Sequence, residues 1–154
     1  MPPPKPTMEQ LAKYADAFNQ SETLKHFGVR VGFPDLETCE VVLDPVQQSQ
    51  RGGLGSDAVN GGVLAAMFDL VIGCAPALVD PTRRSATVQL SINFMSAVRG
   101  DRLIARSKVT RGGSTLVFAA ASIFDEQGNE CAAATGLSRL SSIPWAADGT
   151  PAVN

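Results

Sequence analysis

The chain has 154 residues, enough for one domain with its own apolar core. With 44% hydrophobic and 18% charged residues it has the composition of an ordinary globular protein, and a net charge of −2 gives no basic footprint for nucleic acid. Cys39, Cys74 and Cys131 stand far apart with no zinc spacing, which points to reduced thiols in a cytoplasmic protein rather than a disulfide framework.

The opening prolines, Pro2, Pro3, Pro4 and Pro6, read as an extended lead-in with no apolar signal-peptide core. "TMEQLAKYADAFNQ" places Met8, Leu11, Ala12, Ala15 and Phe18 on one face of a predicted helix, with Thr7 as its N-cap. "SETLKHFG" reads as a turn leading to two strands, "VRVGF" and "ETCEVVLD". Residues 45–58 form a polar, Gly-rich loop. From Asn60 the chain turns apolar, and residues 61–79 have the length and hydropathy of a membrane span. Asp69 at the centre of that stretch, with Pro76 and the glycines, points instead to the buried helix of a folded domain.

After the helix the pattern alternates. In "ATVQLSINFMSAV", Val88, Leu90, Ile92 and Phe94 share one face. "RLIARSKVT", "TLVFAAASIF" and "ECAAATGLSRL" follow through short turns, so residues 86–140 read as a four-strand meander. A helix apolar nearly all round needs cover on most sides, and a curved sheet supplies it. The expected fold class is α+β, an antiparallel sheet wrapped around one long central helix. It forms a single domain over 1–154, with an N-terminal extension at 1–26 and a flexible tail at 142–154.

This order, with Asn60-Gly61-Gly62 at the helix start, Asp69 further on, and "TVQLSINFMSAVRGD" as the next strand, resembles the hot-dog fold acyl-CoA thioesterases. The closer resemblance is to the branch of phenylacetate-pathway and 4-hydroxybenzoyl-CoA thioesterases. That branch carries His-Gly-Gly at the helix start and an acidic residue nine positions after the His. The resemblance covers roughly residues 27 to 141, and its departure is Asn60 in the place of the His. It implies hydrolysis of an aryl or medium-chain acyl-CoA to free acid and CoA, with no metal or redox cofactor. It also places Thr87 beside the catalytic carboxylate.

The residues themselves allow this chemistry and a plainer one. The first N–H groups of a helix lack internal partners and carry partial positive charge, so those of Gly61 and Gly62 can hold an oxyanion. Equally, Asn60 can be a simple N-cap. Asp69 is either a general base or nucleophile, or a carboxylate held by buried partners. Gly62 and Asp69 lie roughly 10 Å apart along one helix, too far to converge on one carbonyl. Two subunits solve this, so we expect a homodimer with shared sites, possibly paired into a tetramer. Asn60 can donate a hydrogen bond as His does but cannot shuttle a proton at neutral pH.

Phosphate contacts are expected from Arg83 and Arg84, or from the turn Arg111-Gly112-Gly113-Ser114. Leu54, Phe68 and Phe94, with Met67, are candidates for the acyl pocket. His26, the single histidine, supports neither a Ser-His-Asp triad nor a metal centre, and no GxSxG elbow is present. The rival readings are a hot-dog protein that binds acyl-CoA or acyl carrier protein with little turnover, a structural oligomer, and a dehydratase.

Overall fold

The computed structural model describes residues 4–145. The first three residues of the lead-in and residues 146–154 of the expected tail lie outside these. Helix α1 (Met8–Asn19) starts at Thr7, whose hydroxyl accepts from Gln10 N while Gln10 Oε1 accepts from Thr7 N. Where the sequence reads as a turn, a second short helix forms, α2 (Glu22–Phe27). Ser21 caps it, and Gly28 ends it with a left-handed φ of 70°. Leu11 and Leu24 are fully buried, so both helices belong to the core and are no appendage.

Six strands follow: β1 (Val29–Gly32), β2 (Cys39–Leu43), β3 (Arg83–Phe94), β4 (Leu103–Gly112), β5 (Leu116–Phe124) and β6 (Glu130–Pro144). They form one antiparallel sheet in the order β1-β2-β4-β5-β6-β3. β3, first of the last four in sequence, crosses to the far edge and pairs only with β6. The ladder β6 makes with β3 runs to Pro144, so residues 142–144 are strand rather than tail. Trp145 packs edge-on to Tyr14, and its indole N–H donates to the Pro81 carbonyl.

The central helix, α3 (Gly61–Cys74), continues through a 3-10 turn at Ala75–Leu78 and packs against all six strands. This stretch is long and apolar enough to cross a membrane, and here it forms the core of the domain. Phe68, Val71 and Ile72 are fully buried against Val41, Leu43, Leu103 and Ile123. The helix lies close to the sheet because small residues let it. A Cβ on Gly136 would stand 2.7 Å from Ile72 Cγ2 and 2.9 Å from the Gln89 carbonyl oxygen.

Four strand hydroxyls then fix the helix in rotation. Thr87 Oγ1 donates to the carbonyl of Asp69 (3.3 Å), Ser107 Oγ to that of Val71 (2.7 Å), Ser138 Oγ to that of Ile72 (3.2 Å) and Ser85 Oγ to that of Gly73 (2.6 Å). Three of these carbonyls, those of Val71, Ile72 and Gly73, belong to the last turn of the helix, where internal donors run short. The alternation expected of β3 breaks at a bulge between Thr87 and Gln89. Val88 leaves the apolar face there and is 60% exposed.

Candidate active site

The helix start is built from its cap. Asn60 is extended (φ −61°, ψ 138°) and its Oδ1 accepts from Gly62 N at 2.8 Å, while its carbonyl accepts from Val63 N and Leu64 N. That corrects the expected donor set, because the Gly62 N–H is held by the cap. The Gly61 N–H has no partner among the described residues, and neither has Asn60 Nδ2. The Phe94 ring lies beside this point: a Cβ on Gly61 would sit 3.6 Å from Phe94 Cε1 and Cζ. Phe94 is 57% exposed, so the ring forms one wall of an open surface.

Asp69 is exposed, on the stripe of α3 that the sheet does not cover. Its carboxylate makes no hydrogen bond or ion pair among the described residues; its backbone is fixed through Thr87. Thr87 therefore positions the residue rather than the carboxylate oxygens. Its hydroxyl also lies 2.9 Å from where a Cβ on Gly73 would stand, so Gly73 makes room for that contact. Gly61 and Asp69 are eight residues apart on a straight helix, about 12 Å. In one chain they face different points.

Three of the expected pocket residues take other places. Phe68 and Met67 are core residues with no exposed surface to offer a ligand, because their positions on α3 face the sheet. Leu54 is fully exposed at a loop tip between Gly53 and Gly55, with a φ of 59°, and one chain gives it nothing to line.

The fold brings the two expected phosphate sites to one end of the sheet and divides their roles. The Arg83 guanidinium donates to the carbonyls of Ser141 (2.6 Å), Ser114 (2.8 Å) and Leu140 (3.3 Å), so it ties strands together with each of its three nitrogens. Gly113 N donates to the Leu116 carbonyl and closes the β4–β5 hairpin, which removes it from an anion cradle. Gly112 packs against Val79, and the Ser114 carbonyl takes the Arg83 bond. Arg111 stays exposed, and Arg84 lines a cavity of about 330 Å³ with Arg139. Sequence reasoning missed Arg139. Its signal was an arginine on the phase opposite Leu140 in an otherwise small-residue strand.

The cysteines offer no nucleophile. All three are free and buried, and burial, with Cys74 alongside, pushes the Cys39 thiol well up. Burial and the neighbouring Cys74 raise the Tyr14 hydroxyl likewise. A second cavity, about 780 Å³, lies on the sheet face away from α3 around Arg106, Lys108 and Glu40, and none of the candidate residues lines it.

The thioesterase superfamily profile matches residues 57–132, from the loop before α3 into the start of β6. No curated protein matches the chain. Among solved structures, the PaaI protein of E. coli, from the phenylacetic acid degradation operon, is 17% identical over 89% of this chain and 97% of its own, with a TM-score of 0.78. A Shewanella oneidensis protein related to the thioesterase superfamily is 21% identical, covering 86% and 96%, with a TM-score of 0.77. A thioesterase family protein from Silicibacter pomeroyi is also 21% identical, covering 85% and 97%, at 0.74. At these identities the shared property is the fold.

Proposed function

We propose, from a thioesterase-superfamily assignment that the family match and the shared hot-dog fold support, that the chain hydrolyses an acyl-CoA thioester to free acid and CoA. The observation that carries this reading is a carboxylate, Asp69, without a partner among the described residues and exposed on the open stripe of the central helix, next to the uncovered helix start.

The site is shared between two copies. The thioester oxygen meets the Gly61 N–H of one chain, with Asn60 Nδ2 beside it, and the scissile carbon meets Asp69 of the other. As general base, Asp69 takes a proton from water, the hydroxide adds to the carbon, and the oxyanion is held at the helix start. Collapse breaks the C–S bond, and the departing thiolate is protonated. As nucleophile, the carboxylate displaces the thiolate to give an anhydride, which water then opens. In both routes the proton traffic falls to Asp69 and solvent, since Asn60 carries none. The acyl group is aryl or medium-chain, lying along Phe94.

Asn60 favours a second reading, a protein that binds acyl-CoA with little turnover. A panel of acyl-CoA thioesters assayed by thiol release separates the two. Turnover that falls by a factor of about 10² to 10⁴ in Asp69→Asn supports hydrolysis. CoA binding with no turnover on any thioester supports the second reading.

A further inference from the structure

We infer that Leu54 meets the far end of the bound acyl group and sets which acyl thioesters the protein prefers, an assignment that deepens the acyl-CoA reading above and rests on it. The loop that carries Leu54 is braced at its root. Arg51 bridges to Val59, Gly52 N donates to the Ala58 carbonyl and Asn60 N to that of Gln50, so the loop rises directly from the start of α3. The Arg51 guanidinium ties this root to the β3–β4 connection, donating to the carbonyls of Asp57 (3.0 Å) and Gly100 (3.1 Å) and to Asp101 Oδ1 (2.8 Å). Arg99 pairs with Asp57 at 2.9 Å.

The tip is built differently. Ser56 N donates to the Gly53 carbonyl at 3.3 Å, which makes residues 53–56 a turn with Leu54 and Gly55 at its centre, at φ of 59° and 80°. Positive φ at both central positions is what a type I′ turn requires; Asn, Asp and Gly adopt it readily and leucine does not. A Cβ on Gly53 or Gly55 would meet nothing within 4 Å, so the tip stands clear of the rest of the chain. The leucine is thus strained and wholly in water, and its own fold gains no contact from it. A bound apolar group supplies that contact. Leu54 is three residues beyond Arg51, about 10 Å at most along an extended limb, and the Gly61 N–H lies just past the loop's other end. Val59 N donates to the Val98 carbonyl, which sets the loop beside the segment that follows Phe94 and Met95. Those two side chains are exposed as well, so the two segments flanking one helix start present three apolar side chains to water. An alkyl or aryl group whose carbonyl oxygen is at Gly61 removes that surface from water on binding.

The test is calorimetric titration with two thioethers, S-octyl-CoA and S-ethyl-CoA, which bind without being hydrolysed. The wild type prefers the octyl compound. Leu54→Asn, whose side chain suits the turn, lowers that preference about tenfold and melts no lower than the wild type. Leu54→Met keeps the preference. Equal affinity of the wild type for the two thioethers overturns the assignment, as does an unchanged preference in Leu54→Asn or a lost one in Leu54→Met. A lower melting temperature for Leu54→Asn makes the leucine a structural choice and overturns it too. A protein that hydrolyses no thioester, yet loses its preference in Leu54→Asn, keeps this residue's role while the hydrolysis reading fails. Hydrolysis with an unchanged preference in that variant keeps the hydrolysis reading and ends this one.

Discussion

Asn60 holds the start of α3 with its oxygen and leaves its amide nitrogen over, next to the one first-turn N–H without a partner among the described residues. Gly61→Pro tests that N–H with little else disturbed. Proline suits the first helical position, and the residue before it, Asn60, already has the extended conformation that a following proline demands. The variant is expected to melt close to the wild type and to lose a factor of about 10² to 10³ in kcat, read by thiol release. Unchanged kcat would remove Gly61 from the oxyanion site. These residues were legible in the sequence because their spacing on one helix is a local property. The four hydroxyls that fix α3 were harder to see. Ser107 and Ser138 fall on the buried phase of β4 and β6, alongside Ala105 and Leu140, so the signal was a polar residue on an apolar phase. What each hydroxyl bonds depends on where the helix lies, and no single strand encodes that.

At the scale of the element, the contact between α3 and the sheet is set by Gly136. Gly136→Ala would press a methyl into Ile72 and into the Gln89 carbonyl, and backbone yields less readily than side chain. The expected loss is about 1–3 kcal/mol, measured by denaturant unfolding, with no gain from replacing Ile72 alone. The β5–β6 turn responds to acid. Asp125 accepts from the backbone N–H groups of Asn129 and Gln127, which lower its carboxyl below the ordinary 3.8. A group depressed on folding stabilises the fold above its unfolded value, and that contribution is lost as pH falls through the lower folded one. Acid titration followed by amide exchange should therefore loosen this turn only below about pH 4, and Asp125→Asn should remove the dependence. Secondary structure was read best where the period was long. α2 escaped because six residues give too short a pattern, and the β3 bulge escaped because a single extra residue resembles continued alternation.

The whole molecule leaves one apolar face open beside the candidate site. Val88, Phe94 and Met95 are each more than half exposed, β3 offers a free edge of twelve residues, and Gly61 and Asp69 lie uncovered beside them. On the proposed function, a second copy closes this face and brings the two halves of the site together. Mixing unfolded Asp69→Asn with unfolded Gly61→Pro in equal amounts and refolding them should restore about a quarter of wild-type activity. Half the dimers are mixed, and each of those holds one intact site of two. No recovery from the mixture would confine the site to one chain. The order of elements, and with it the class of fold, was written in the sequence as alternating periods. The open face was not, because a pattern of apolar residues does not say whether its own chain or another covers them.

Trp145 is the chain's one tryptophan, and it sits where α1, the connection into β3 and the end of β6 meet. The protein thus carries its own optical reporter, sensitive to whether the last strand is seated on the first helix. A red shift of its emission on heating, compared with the loss of helical circular dichroism, would show whether that corner lets go with the core or ahead of it.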